Sequence, residues 1–107
     1  MKQFYTELVD IESIIVELDK LELSKEERLH LAKIIDSSLH NVILDAILSQ
    51  LQEDDKKIFL KHLKENDHMG IWRFLKGKID GVEKKIREAA GELKLELHKD
   101  LKNIKKL

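Results

Sequence analysis

The sequence predicts an all-α protein, a compact bundle of about five helices in which the second and fifth are long and the fourth is short and aromatic. Three observations lead there. Proline is absent and the four glycines all lie between Gly70 and Gly91, so nothing interrupts an i→i−4 hydrogen-bond ladder before Gly70. Glu, Lys, Leu and Ile dominate, and most of them form helix readily. Apolar residues recur at spacings of three and four along most of the chain. With 107 residues, one helical domain spanning 1–107 with a modest core is expected.

Helix one is expected from about Lys2 to Glu22. Phe4, Leu8, Ile11, Ile15 and Leu18 form one stripe, widened by Ile14 and Leu21, while Tyr5, Val9 and Val16 form a thinner line nearly opposite. Glu7, Asp10, Glu12, Glu17 and Asp19 make this helix acidic. Two apolar lines on one helix mean that it is wedged between neighbours or touches another chain. Leu23-Ser24-Lys25-Glu26-Glu27 then reads as a helix start, with Ser24 and Glu27 forming a capping box.

Helix two, about Ser24 to Leu51, carries more apolar residues than one face can hold. Leu31, Ala32, Ile35, Leu39, Val42, Ile43 and Ala46 line one side; Ile34, Leu44 and Leu48 lie on the other. Its first half is ordinarily amphipathic, with His30, Ser37 and Asn41 on a wet side. Its second half, Val42 to Leu51, is apolar nearly all round and must be enclosed by the chain or by a partner.

The acidic run Glu53-Asp54-Asp55 suits the positive end of a short third helix, about Glu53 to Glu65, with Ile58, Phe59, Leu60 and Leu63 as its apolar residues. Asn66 and Asp67 suit a turn and its caps. Helix four, about His68 to Ile79, holds Ile71, Trp72, Phe74 and Leu75 and is expected to plug the core with its aromatics. Asp80-Gly81 breaks it. In helix five, Val82, Ile86, Ala89, Ala90, Leu93, Leu97, Leu101 and Ile104 form a narrow seam, as in a bundle or coiled coil. Lys84, Lys85, Arg87, Lys94, Lys99, Lys102, Lys105 and Lys106 make much of the rest of that helix basic. The chain is acidic at its start and basic at its end.

Composition narrows the function classes. Charged residues make up 38% of the chain at a net charge of −1, which describes solvated helix faces and no global pull toward nucleic acid or anionic membrane. Without cysteine there is no disulfide, thiol nucleophile or thiolate metal site. No signal-peptide core follows Met1, and the most hydrophobic window, Val42 to Leu51, is broken by Asp45, Ser49 and Gln50. A cytoplasmic location with no membrane association is expected.

Three features carry a resemblance: Leu23-Ser24-Lys25-Glu26-Glu27, the Ile43-Leu44-Asp45-Ala46-Ile47-Leu48 run before a second acidic start, and Trp72 to Ile79 leading into a long charged helix. Through them the segment from about Leu18 to Leu101 resembles a family of small all-helical proteins, a domain of unknown function found largely in bacteria with reduced genomes. Gln52 stands where that family tends to have serine, and Ile79-Asp80-Gly81 where it tends to have Ile-Pro-Asp. The resemblance implies an all-helical bacterial protein and no activity, cofactor or site.

Candidate sites are few. Glu27 with His30, and Glu65 with His68, have the Glu-x-x-His spacing with which helical bundles bind metal, because residues three apart on a helix reach one ion. Such a site needs both pairs pointing inward, and surface histidines are the plainer reading. Asp36 and His40 are one turn apart and form a carboxylate–imidazole pair, but Ser37 and Ser38 lie in mid-helix without an oxyanion donor. Trp72 to Lys78 mixes aromatic and basic residues, which raises nucleic-acid binding through helices four and five; its apolar residues look needed for the core, so no nucleic-acid partner is expected. No catalytic or cofactor-binding residue is expected either. The leading expectation is a non-enzymatic protein–protein interaction or structural module, capable of self-association. Its surface would be built from Val42, Leu44, Ile47, Leu48, Leu51, Leu93, Leu97 and Leu101. The metal-binding reading with Glu27, His30, Glu65 and His68 is the alternative.

Overall fold

In a computed structural model, which describes residues 3–9 and 12–105, five helices follow one another: α1 (Glu12–Lys20), α2 (Lys25–Leu48), α3 (Glu53–Lys64), α4 (His68–Lys78) and α5 (Val82–Lys105). The expected boundaries have local causes. Ser24 Oγ accepts from Glu27 N–H at 3.1 Å while Glu27 Oε1 accepts from Ser24 N–H at 3.1 Å, closing the capping box that starts α2. These bonds favour the charged carboxylate and hold Glu27 below its ordinary pKa. α3 ends in a Schellman turn: Asn66 N–H donates to Leu63 O and Asp67 N–H to His62 O, both at 3.1 Å. That turn requires a left-handed residue, and Asn66 supplies it at φ 55°. Asp67 then caps α4 through Gly70 N–H, and Gly81, at φ 63°, turns the chain into α5.

α2 and α5 have 24 residues each, roughly 36 Å of helix, and pack antiparallel along a molecule with extents of 47 × 23 × 21 Å. The antiparallel sense is read from the ends: the Lys85 ammonium donates to Gln50 Oε1 at 3.2 Å, while Ile35 shares a core with Leu101. The pair serves two cores. The larger joins Phe4, Tyr5 and Val9, the second half of α2, Phe59 of α3, Ile71 and Leu75 of α4, and the first half of α5. The smaller joins Ile14 and Leu18 of α1, Ile35 of α2 and Leu101 of α5, with Leu31, Ala32 and Leu97 against it.

This division accounts for the surplus of apolar residues on α2. Its buried line is Ile35, Leu39, Ile43 and Ile47, spaced at i+4. Each step of four advances about 40° around the helix, so the buried direction turns by roughly 120° over the line. The first half therefore faces α1 and α5, and the second half faces the N-terminal segment, the α3–α4 hairpin and α5. Leu44 and Leu48, on the expected far side, pack against the larger core, while Ile34 is exposed.

Two expectations are corrected. Helix one does not run from Lys2 to Glu22: residues 3–9 form turns, held by Thr6 N–H to Gln3 O at 3.1 Å and Leu8 N–H to Tyr5 O at 2.9 Å, and α1 begins at Glu12. The Thr6 hydroxyl competes with helix by accepting from Gln3 N–H. The larger core takes residues of both lines, Phe4 and Leu8 with Tyr5 and Val9, while the smaller takes Ile14 and Leu18, so the division falls along the chain and not between the lines. The break also shifts the phase of the stripe, so Ile14 is fully buried and Ile15 exposed. Asp10 and Ile11 lie outside the described residues, as do the side chains of Glu12, Lys102, Ile104 and Lys105.

Nor is α4 the aromatic plug. Its aliphatic Ile71 and Leu75 are fully buried, whereas Trp72 and Phe74 sit at the rim of the core. Phe4 fills the centre, edge-on to Tyr5, Trp72 and Phe59 at ring-centroid distances of 5.2, 5.5 and 6.0 Å. The Trp72 indole N–H donates to the Phe4 carbonyl at 3.0 Å and fixes the plug from outside. Phe4→Ala is expected to cost about 3–5 kcal/mol. The urea midpoint should fall accordingly and the emission of Trp72, the chain's single tryptophan, should shift to the red; an unchanged midpoint would remove Phe4 from its central role.

Candidate functional site

The described polar groups gather at two places. At the first, the Tyr5 hydroxyl lies 3.2 Å from His40 Nδ1 and donates to it when the imidazole carries its proton on Nε2. Tyr5 is buried, His40 half-buried and Asp36 exposed one turn earlier on α2. Burial, and then the Asp36 carboxylate, push the Tyr5 phenol up to about 12. A phenol held that firmly protonated is no base at neutral pH. Ser37 and Ser38 form no described bond to this group, which fastens the N-terminal segment to α2.

The second place is the α3–α4 corner. His62 Nδ1 is enclosed and makes no hydrogen bond among the described residues; the Asp67 Oδ2 atom is 3.5 Å away, close enough for an ion pair but poorly directed. The ring of His62 lies 6.1 Å from that of Phe74. Gly70 makes this corner possible. A Cβ there would fall on the Asp67 carboxylate and come within 3.0 Å of His62 Nδ1.

The Glu-x-x-His pairs are not brought together. Glu27 and His30 are exposed at the start of α2, beside the smaller core, and the Glu27 carboxylate is occupied by its cap. Glu65 closes α3 and His68 opens α4, with left-handed Asn66 between them, so they do not share a helix face. Among the described residues no group of three or more His, Asp or Glu side chains is placed to hold a metal ion.

The expected interaction surface is largely spent inside the chain. Ile47, Leu51 and Leu101 are buried; Leu44, Leu48 and Leu93 are half-buried against the larger core and Leu97 against the smaller. Val42 is half-buried where α2 meets Ala89 and Leu93 of α5. Trp72, the natural base-stacking residue of the aromatic–basic helix, is tied to Phe4, leaving Arg73, Lys76 and Lys78 exposed. Lys76 pairs with Glu83 at 3.2 Å and Lys78 with Asp55 at 3.6 Å. A depression of about 400 Å³ opens beside the α4–α5 turn between Lys76, Glu83, Lys84 and Arg87. No described helix is long and apolar enough to cross a membrane.

Comparison with protein-family models, curated proteins and solved structures found no match to this chain.

The spacing of Asp36 and His40 pointed to their pairing on one face, but nothing in the sequence signalled that Tyr5, 35 residues away, joins His40. Two measurements test these groups. Tyr5 is the only tyrosine, so absorbance at 295 nm follows it alone. Its raised pKa means that its contribution to stability is complete below the unfolded phenol's pKa near 10 and is lost as pH rises through about 12. The phenolate should appear near pH 12 in the folded protein and near 10 in denaturant; a midpoint near 10 with helix content intact would contradict the enclosure. At the corner, Gly70→Ala should displace the Asp67 cap and destabilise the chain by about 1 kcal/mol, read as a lower thermal midpoint.

Proposed function

We propose that this chain is a non-catalytic helical module that acts by binding other protein surfaces. The observation carrying this reading is the set of large apolar side chains left in solvent after both cores are filled. They are Ile15 and Val16 on α1, Leu29 and Ile34 on α2, Ile58 and Leu60 on α3, Met69 on α4, and Leu95 on α5. Met69 and Leu95 are 75% and 70% exposed, more than packing at the edge of a core explains. Scattered singly, such residues are ordinary. Here Ile15 and Val16 are adjacent on α1 and Ile58 and Leu60 lie two apart on α3 among lysines, and exposed apolar groups ringed by charge are what a protein interface uses at its centre. Catalysis has less support, because the His40 imidazole is engaged by the buried Tyr5 hydroxyl.

In-cell cross-linking with mass spectrometry tests the reading. Wild type should link reproducibly to a defined protein set, its own copies included. The quadruple variant Val16→Ser, Ile34→Ser, Leu60→Ser, Met69→Ser, with unchanged circular dichroism, should lose that set. Identical linkage by both proteins would defeat the proposal.

A further inference from the structure

Five of the exposed apolar residues fall in two regions of opposite charge, Ile15 and Val16 in one and Ile58, Leu60 and Met69 in the other. Residues 1–24, which include α1, carry two lysines against six acidic side chains, a net −4. Residues 57–78, which form most of the α3–α4 hairpin, carry six Lys or Arg against Glu65 and Asp67, a net +4 with histidine neutral. α4 contains no acidic residue at all.

On α3, Lys57, Lys61 and Lys64 are exposed along one face by helical spacing, and Leu60 is exposed beside them. On α4, Met69, Arg73 and Lys76 share an exposed face in the same way. Lys57, Lys61, Lys64 and Arg73 have no ion-pair partner among the described residues. On the other side, Ile15 and Val16 are exposed on α1 among Glu17, Asp19 and Glu22.

The two faces cannot satisfy each other within one chain. α1 packs on the smaller core and the hairpin on the larger, and no described ion pair links them. The acidic side pairs locally, Asp19 with Arg28 at 2.7 Å and Glu17 with Lys20 at 3.8 Å. α5 brings its basic half beside α1, but no ion pair crosses between them among the described side chains.

We infer that the partner of the cationic α3–α4 face is the acidic α1 face of a second copy of this chain. This rests on the interaction-module reading and names its occupant. The two surfaces are different patches, so the contact is heterologous: each copy offers one face and receives the other, giving head-to-tail chains or a ring rather than a closed two-fold dimer. Opposite charge steers the faces together, and Leu60 and Met69 meet Ile15 and Val16 at the centre. Association therefore weakens with salt, as the Debye length falls from about 10 Å at 0.1 M to about 3 Å at 1 M.

Sedimentation velocity on the full chain over a wide concentration range tests this. Wild type should show a weight-average mass that grows with concentration at low ionic strength and returns to the monomer at about 0.5 M salt. Lys57→Glu with Lys61→Glu, and separately Glu17→Lys with Glu22→Lys, should each weaken association by roughly tenfold or more, because each cancels the net charge of one of the two regions. Mixing these two variants should restore association as one-to-one pairs, since the unaltered α1 face of one meets the unaltered α3–α4 face of the other. Circular dichroism checks that both remain folded.

A wild-type monomer at every concentration and salt, association that ignores salt, or failure of the mixture to recover would each overturn the inference. So would a monomer whose Lys57/Lys61 face binds a labelled DNA duplex with salt-dependent affinity, which would assign that face to a polyanion. If the wild type is monomeric while cross-linking to other proteins persists, self-recognition fails and the interaction module stands.

Discussion

Everything in this fold hangs on the antiparallel pairing of α2 and α5, because among the described residues these are the only elements that run through both cores. The stripe that α2 buries is not straight. The i+4 line on α2 winds as it goes, so one helix pair presents different directions at its two ends, and each end must be closed by shorter pieces. α1 closes one end. The N-terminal turn segment and the α3–α4 hairpin close the other. The elongated shape follows from that division of labour, since a single central core would have drawn the short helices together.

The weakest-looking piece holds the most. Residues 3–9 have no helical ladder, yet Phe4 and Tyr5 are among the buried residues and each is tied to a distant helix, Phe4 to α4 through the Trp72 indole and Tyr5 to α2 through His40. Burial of aromatic rings with their polar handles satisfied does here what regular secondary structure does elsewhere. Polar chemistry serves the same purpose: the Tyr5–His40 contact ties the N-terminal segment to α2, and the Asp67 carboxylate caps α4 at Gly70.

Much of this architecture is legible in residue order. The Ser24 capping box, the acidic start of α3, the Asn66-Asp67 turn and the Asp80-Gly81 break are local chemistry, and the helices begin and end beside them. The seam of α5 is legible too, because a narrow stripe has one reading. What stays hidden is anything that depends on where a winding stripe points. A periodic run from Phe4 to Leu18 fits one helix as well as two segments bound for different cores, and only the presence of those cores separates the two. The enclosure of Val42 to Leu51 by the chain's own elements is hidden for the same reason. Glu-x-x-His spacing says that two side chains are neighbours on a helix, but nothing about whether the carboxylate is already engaged in a cap, as that of Glu27 is.

The placement of α5 also bears on how the molecule is made. Ile86 and Ala90 belong to the larger core and Leu101 to the smaller, so the last helix in the sequence contributes to both. During vectorial synthesis α1, α2 and the hairpin emerge with half of each apolar face uncovered, and neither half can be finished from what has already left the ribosome. Closure joins residues far apart in sequence, Phe4 to Trp72 and Leu18 to Leu101, and these long loops are the slow, entropically costly part of an otherwise local helical fold. The interval between the exit of the hairpin and the exit of α5 is therefore when this chain is most exposed to misassociation and proteolysis.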